Sequence, residues 1–289
     1  MRGCGSPLRL RAMIINYFDS VVLGVVEGLT EFLPVSSTGH LTIAEKLLGL
    51  PIDNDAVTAY TAVIQMGAIA AVLLFFARDI GQIALGWCRG LVKPEYRGTA
   101  DHRMGWYVIL GSIPIGIVGL AAKDFISGPL RSLWVVGAAL VLWSAVMVYA
   151  ERTARQQRDL KKVTMRDALV VGVVQCIALV PGVSRSGATI SAGLIGGLDR
   201  VAATKLSFFL SIPALTGAGL YELKDAVGQG IGVGPTVVGT LISFVVAYVS
   251  VAWLLKFVAG HSIAAFVPYR VLVGGVLLVL LATNVMSAT

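Results

Sequence analysis

Six long stretches without a charged residue constrain the fold of this chain more than any other feature. Each runs for 16 to 25 mostly apolar residues. About 20 such residues in an α-helix cross the roughly 30 Å hydrocarbon core of a bilayer. A membrane β-strand would need only about 10 residues of alternating polarity. We therefore predict an all-α integral membrane protein with six transmembrane helices. The predicted spans are 56–77, 104–122, 133–150, 206–221, 231–255 and 271–289.

The composition supports this prediction. Charged residues make up 13% of the chain and the mean hydropathy is +0.83, whereas about 25% of residues are charged in a soluble domain. The net charge of +7 arises from Lys and Arg clustered between the apolar stretches. This clustering is typical of cytoplasmic loops, so we expect no nucleic-acid partner. The cysteines at 4, 88 and 176 are too widely spaced for a disulfide framework or a metal site.

The loops predict an orientation in the membrane. Loops 78–103 and 151–166 together hold eleven Lys and Arg, whereas 123–132 and 222–230 hold three. The positive-inside rule places the first two loops in the cytoplasm and both termini outside. The first residues, "MRGCGSPLRLRAM", are basic without a clear cleavage pattern, and Met13 is an alternative start.

Two further apolar segments, 14–48 and 166–198, are interrupted in the middle by Pro, Gly and Ser. Each half is too short to cross a bilayer. We therefore predict two re-entrant helical hairpins, which need a protein-lined or wet environment at membrane depth. A shift of 148 residues aligns "GVVEGLTEFLPVSSTGH" (24–40) with "GVVQCIALVPGVSRSGA" (172–188), with six of 17 positions identical.

The order of these segments predicts an inverted repeat. A hairpin returns to its own side of the membrane, and the three crossings that follow it end on the other side. The halves 14–150 and 166–289 therefore have opposite orientations within a single membrane domain that covers residues 1–289. Proteins of this kind place their site near the midplane, between discontinuous helices.

Ionisable residues in the first hairpin indicate function. Glu27 and Glu31 are four residues apart and share a helix face, and each costs about 2.5–3.5 kcal/mol on insertion scales. Pro34 ends that helix. Both acids are candidates for catalysis or for holding a cation. A structural hydrogen-bonded pair is the alternative.

Hydroxyl side chains follow the break. Ser36, Ser37 and Thr38 precede the second short helix, where hydroxyls cap free N–H groups and anions bind. His40 comes three residues after Ser37, on the same face, so it is the adjacent base expected for a serine nucleophile. In the alternative reading Ser37 only caps the helix or binds phosphate, and His40 is the nucleophile or merely a satisfied polar residue.

The second hairpin repeats this plan. It breaks at Pro181 and Gly182, and "SRSG" begins its next helix. Arg185 carries a planar fork suited to phosphate. Ser184 and Ser186 flank it as candidate donors to phosphate. Two helix N-termini and one arginine predict an anion site for a phosphate-bearing ligand, with a structural ion pair to Glu31 as the alternative for Arg185.

The motifs "EGLTEFLPVSSTGH" and "PGVSRSGATIS" resemble the two signatures of the undecaprenyl pyrophosphate phosphatase family, the bacitracin-resistance membrane phosphatases. The resemblance extends from about residue 14 over nearly the whole chain, including "VIQMGAIAAV" and "SFFLSIPA".

The resemblance implies a hydrolase that removes the terminal phosphate of a polyprenyl pyrophosphate lipid at the outer face of the bacterial inner membrane. This reaction recycles the lipid carrier of cell-wall synthesis. Carried over by position, Glu27 and Glu31 match the acidic motif, Ser37 the nucleophile, His40 the reactive histidine and Arg185 the phosphate clamp. The resemblance also implies a divalent cation, Mg²⁺ or Ca²⁺. Whether Glu27 and Glu31 or only the substrate bind this cation is left open.

Several other residues carry weaker expectations. Gln65 is a candidate substrate contact, although helix–helix hydrogen bonding is the commoner use of a membrane amide. Asp53 and Asp55 are candidate cation ligands in an exterior loop. Arg270, after "FVPY", is interpreted as an anchor at the cytoplasmic interface.

Two questions stay open at this point. Inverted repeats with broken helices are more often transporters than enzymes, so a lipid transporter or flippase is the alternative function. Small-residue runs such as "GLIGG" (193–197) favour close helix contacts, either within one chain or in a homodimer surrounded by membrane lipids.

Overall fold

Twelve α-helices and no β-strand form the part of the chain that the structure, a computed structural model, describes: residues 15–52, 54–226 and 232–288. The helices are α1 (Tyr17–Thr30), α2 (Ser37–Leu47), α3 (Asp55–Phe75), α4 (Ala77–Val92), α5 (Ala100–Ala121), α6 (Lys123–Ser127), α7 (Leu133–Thr153), α8 (Met165–Gln175), α9 (Arg185–Ile195), α10 (Arg200–Ala226), α11 (Val233–Gly260) and α12 (Val267–Ala282). The alternative start at Met13 lies outside the described residues.

Six helical spans among the described residues are long and apolar enough to cross a bilayer: α3, α5, α7, α10, α11, and α12 together with the turn before it (Ile263–Ala282). The predicted all-α membrane fold with six transmembrane helices is confirmed. Where a charge lies inside a helix, the predicted span begins too late (α10 and α12) or ends too early (α11). Lys205 lies within α10, Lys256 within α11 and Arg270 within α12. A rule that stops a span at the first charge therefore shortens these three helices.

Two helices were missed. The short helix α6 lies in the predicted loop 123–132, and more than half of the predicted loop 78–103 is the amphipathic helix α4. Its apolar side chains Ile80 and Ile83 pack against a hydrophobic core that includes Phe208 and Phe209 of α10. Trp87 contacts Gly105 of α5. Asp79 in its first turn and Arg89 in its last turn complement the helix dipole. Its charged residues interrupt the apolar run, so the sequence shows no long uncharged stretch here although the helix is amphipathic.

The two predicted hairpins are two pairs of short helices, α1 with α2 and α8 with α9, and each pair packs together. The helices have 14, 11, 11 and 11 residues. At about 1.5 Å per residue, each is shorter than the hydrocarbon core is thick. Re-entry from opposite faces of the membrane stays a prediction.

The shift of 148 residues applies well beyond the 17 aligned positions. Both α1 and α8 begin with a capping box, formed by Asn16 with Asp19 and by Thr164 with Asp167. Two pairs of matched positions also have positive φ: Ser36 (78°) with Ser184 (77°), and Gly49 (74°) with Gly197 (86°). These matched features support the predicted internal repeat from residue 16 to residue 49.

Glycines let each hairpin pack against a long helix of the other half. A Cβ on Gly24 of α1 would lie 2.6 Å from the carbonyl oxygen of Gly239 in α11. A Cβ on Gly172 of α8 would lie 1.9 Å from the carbonyl oxygen of Gly111 in α5. Small residues permit this close approach of helix backbones. Helix α1 of the first half packs on α11 of the second half, and α8 of the second half packs on α5 of the first half. This crossed packing brings the two helix breaks together.

The "GLIGG" run has a use within the chain. Gly193 lies against Ala203 of α10, where a Cβ would come within 2.8 Å of the alanine Cβ. A homodimer contact through this run stays a prediction.

Candidate active site

The two helix breaks contact each other directly. The Gly182 backbone N–H donates to Ser36 Oγ at 3.1 Å, and Ser186 Oγ donates to the Leu33 carbonyl oxygen at 2.8 Å. The N-termini of α2 and α9 therefore lie side by side, as the predicted anion site requires.

Ser36 and Ser184 are the N-cap residues of these two helices. Each side-chain oxygen accepts a hydrogen bond from the N–H three residues later, from Gly39 at 3.4 Å and from Gly187 at 3.1 Å. Positive φ is uncommon outside glycine. Strained backbone of this kind persists only where surrounding contacts hold it, and it concentrates at functional sites.

Glu31 joins the two hairpins through its carboxylate. Its Oε1 accepts from Arg185 Nη2 at 3.0 Å, and the side chains are 4% and 10% exposed respectively. Its Oε2 accepts a hydrogen bond from the Ser37 hydroxyl. The sequence indicated His40 as the base beside Ser37, and this pairing is wrong. The side chain in contact with the hydroxyl is the Glu31 carboxylate, six residues earlier, because the break folds the chain back on itself.

His40 is held by other groups. Its Nδ1 lies 2.7 Å from the Ser36 carbonyl oxygen, and its Nε2 lies 2.8 Å from the Tyr269 hydroxyl. The two rings stack with their centroids 5.5 Å apart. Both ring nitrogens are thus occupied, and Tyr269 is a site residue that sequence reasoning missed.

Glu27 supplies the least satisfied groups of the site. It is fully buried, and neither carboxylate oxygen has a hydrogen-bond partner among the described residues. Arg185 likewise has two buried nitrogens, Nε and Nη1, without a partner there, and its guanidinium lies 5.7 Å from the Phe32 ring centre. The Glu27 carboxylate interacts electrostatically with Glu31 and Arg185. Unsatisfied buried groups of this kind indicate a missing ligand, ion or water.

Of the other predicted residues, some contact the site and others do not. Ser184 Oγ lies 3.2 Å from Ser186 Oγ, so both belong to one cluster of site residues. The other members of this cluster are Glu27, Glu31, Ser36, Ser37 and Arg185. Thr38 is exposed, and Gln65 is half-buried on α3; neither side chain makes one of the cluster's hydrogen bonds in the part described. Asp53 and the Asp55 side chain lie outside the described residues.

Arg270 is not an interface anchor, and that prediction is wrong. Its side chain is 0% exposed and is the largest fully buried one in the described core. It donates to the carbonyl oxygens of Pro34, Gly182 and Val183. A charged residue within a transmembrane segment is a functional candidate by default, and that signal was present in the sequence beside "FVPY".

The site fits a divalent cation shared with a ligand better than a closed metal site. Within the described ranges, no group of three or more His, Cys, Asp or Glu side chains lies together. Glu27 has two unused oxygens, and Glu31 lies one helical turn away. Mg²⁺ is usually held by one or two carboxylates together with substrate phosphates.

Comparison with known proteins agrees with this geometry. The family model described as bacitracin resistance protein BacA matches residues 20–276, which include both helix breaks and every residue of the cluster. The chain belongs to this family. Family membership and the six apolar helices make it a multi-pass membrane protein.

Individual family members are similar over nearly their whole length. Undecaprenyl-diphosphatase 3 of Frankia casuarinae is 56% identical over 278 residues, which cover 95% of this chain and 100% of the relative. Undecaprenyl-diphosphatase 1 of Streptomyces avermitilis is 59% identical, covering 95% and 99%. Undecaprenyl-diphosphatase of Acidothermus cellulolyticus is 58% identical, covering 95% and 100%.

Proposed function

We propose that this chain is an undecaprenyl-diphosphatase. It hydrolyses the terminal phosphoanhydride bond of undecaprenyl diphosphate and produces undecaprenyl phosphate and inorganic phosphate. The names of relatives that are 56–59% identical over 95% of the chain support this activity. The observation that carries it is local: two Arg185 nitrogens that have no partner among the described residues lie beside a serine hydroxyl that is hydrogen-bonded to a carboxylate. In the cell the product is the lipid carrier of cell-wall synthesis, and its return to use underlies the bacitracin resistance after which the family is named.

Arg185 binds the diphosphate. Its Nε and Nη1, which have no partner in the described part of the chain, donate to phosphate oxygens while Nη2 keeps its contact with Glu31. A planar guanidinium suits two-point contact with phosphate. The N–H groups at the starts of α2 and α9 add positive potential. Together these groups stabilise the negative charge of the transferring phosphoryl group.

Ser37 attacks the terminal phosphorus. Its hydroxyl proton passes to Glu31, the Ser37 Oγ–P bond forms, and the bond from phosphorus to the bridging oxygen breaks, releasing undecaprenyl phosphate. The proton on Glu31 passes to the departing undecaprenyl phosphate, which leaves the carboxylate free to deprotonate a water molecule. That water attacks the phosphoserine, the Ser37 Oγ–P bond breaks, the Ser37 oxygen takes the proton back from Glu31, and inorganic phosphate is released. Ser37 is favoured over His40 as the nucleophile because both His40 ring nitrogens are occupied.

Glu27, whose carboxylate oxygens have no partner among the described residues, would hold the cation, and Glu31 is its neighbour one turn later. A divalent cation there would neutralise charge on the diphosphate. A titration tests this role. Wild-type protein is expected to lose activity in chelator and to recover it with Mg²⁺ or Ca²⁺. Glu27→Gln is expected to need a much higher cation concentration. Equal cation dependence in both proteins would remove Glu27 as the ligand.

We place the protein in the bacterial inner membrane, with the site open to the outer face and the polyprenyl tail between helices in contact with lipid.

The hydrolase assay uses purified protein in detergent with a polyprenyl diphosphate. Release of inorganic phosphate is expected from the wild type and from Arg152→Lys, a control on an exposed arginine. Arg185→Lys is expected to lose nearly all release. If the wild type releases none, with or without cations, the hydrolase proposal fails.

Lipid transport is the second candidate, favoured by the matched helix breaks of the two halves. Proteoliposomes separate the two activities. Movement of a polyprenyl phosphate across the bilayer in the absence of phosphate release would support transport, whereas phosphate release without movement would exclude it.

A further inference from the structure

Arg270 lies near the start of α12, which contains no other charged residue. Its side chain is 0% exposed, and no carboxylate pairs with it within the described part of the chain. A buried guanidinium is expensive unless other groups satisfy its donors. Neutral oxygens do so here, and their positions in the fold indicate what the residue is for.

The guanidinium binds both helix breaks at once. Nη1 donates to the Pro34 carbonyl oxygen at 3.0 Å. Nη2 donates to the carbonyl oxygens of Gly182 at 2.9 Å and Val183 at 3.1 Å. Nε donates to Ser144 Oγ at 3.2 Å. Three donors of one planar group thus contact the first hairpin, the second hairpin and α7.

The three carbonyl groups belong to residues that control the reacting side chains. Pro34 lies three residues after Glu31 and three before Ser37. Gly182 and Val183 come shortly before Arg185. A shift of either break therefore moves the nucleophile or the phosphate clamp relative to the other.

The group that supports Arg270 is itself hydrogen-bonded. Ser144 Oγ donates in turn to the Leu140 carbonyl oxygen at 2.7 Å within α7, and α7 packs against α12. The preceding residue, Tyr269, contacts the His40 ring. The start of α12 and the middle of α7 are therefore packed together behind both breaks.

We propose that Arg270 is a positioning residue, which holds the two helix breaks at the separation where Ser37, Glu31 and Arg185 meet. It rests on the proposed function insofar as that alignment serves phosphate release. It acts through the carbonyl groups of Pro34, Gly182 and Val183, and it requires the fork of the guanidinium as well as its charge. Lysine is a point donor and cannot contact all three carbonyls and Ser144 in one plane.

The experiment compares three variants with a matched control. Arg270→Lys keeps the charge without the fork, Arg270→Met removes both, and Ser144→Ala removes one support. Arg152→Lys is the control, an exposed arginine elsewhere on α7. For Arg270→Lys and Arg270→Met we expect kcat for phosphate release to fall by about 100-fold, as for a misplacement near 1 Å. KM is expected to change less than threefold, and the control to match the wild type.

Hydrogen–deuterium exchange supplies a readout independent of activity. In Arg270→Lys, exchange is expected to rise in peptides covering 33–37 and 181–187 and to stay unchanged in α3 and α10. A rise throughout the protein would show a general structural role and overturn the proposal. Wild-type kcat in folded Arg270→Lys would also overturn it, because charge alone would then suffice. If the wild type releases no phosphate, the proposed function fails, and the exchange pattern still decides whether Arg270 holds the breaks.

Discussion

Glu31 is the residue on which the polar side chains of the site converge. One carboxylate oxygen accepts from Arg185 and the other from Ser37. The carboxylate thus links the arginine and the serine that we propose as phosphate clamp and nucleophile. In the proposed mechanism Glu31 is the general base and His40 has a supporting role.

Substitutions at these residues test the assignment. Glu31→Gln is expected to lower kcat by about 10²–10⁴-fold, the usual contribution of a general base. Ser37→Ala is expected to abolish the phosphoenzyme. His40→Ala removes hydrogen bonds worth about 1 kcal/mol each and is expected to lower kcat by roughly tenfold. Quenched-flow trapping and mass spectrometry locate the phosphoryl group. A phosphohistidine at His40, with turnover retained in Ser37→Ala, would contradict the assignment.

The break between α8 and α9 depends on a glycine. Gly182 has φ of +98°, and a Cβ there would lie 2.5 Å from the Val136 carbonyl oxygen of α7. Both the conformation and the space exclude a side chain. Its N–H also donates to Ser36, so this residue links the two breaks.

Gly182→Ala and Gly49→Ala form a matched pair. Gly49 also has positive φ (+74°), but a Cβ there would meet nothing within 4 Å. Gly49→Ala is expected to cost only the backbone penalty of about 1–2 kcal/mol and to keep activity. Gly182→Ala adds a collision with α7 and is expected to lower the apparent unfolding temperature further and to lose phosphate release. Equal effects of the two variants on unfolding would show that the contact with α7 is unimportant.

The arrangement of the whole molecule in the bilayer rests on its loop charges. The native cysteine Cys88 is exposed on α4, within a segment predicted to be cytoplasmic. Asp124 is exposed on α6, in a loop predicted to lie on the opposite face.

Thiol labelling in a Cys4→Ser, Cys176→Ser background tests this orientation. Cys88 is expected to react with a membrane-impermeant reagent only after the cells are permeabilised. A cysteine from Asp124→Cys, in a chain that also carries Cys88→Ser, is expected to react in intact cells. Labelling of Cys88 in intact cells would reverse the proposed orientation and place the first hairpin on the cytoplasmic side.

Much of this protein was predictable from residue order. Hydrophobic length predicts six crossings because a bilayer imposes one thickness on every helix. Pro34, Gly182 and the serines after them mark two helix breaks, since local backbone chemistry alone forbids a continuous helix there. Glu27, Glu31, Ser37 and Arg185 stand out because charge in an apolar segment needs a reason.

Only the tertiary structure decided which of these groups work together. His40 is the nearer partner for Ser37 along a helix, yet the folded break presents Glu31. Arg270 reads as a terminal anchor in the sequence, yet α12 packs against α7 and carries it behind both breaks. Local sequence governs backbone conformation over a few residues. Contacts between residues 31 and 185, or 34 and 270, depend on how glycine-mediated packing brings distant helices together, and no local pattern contains that information.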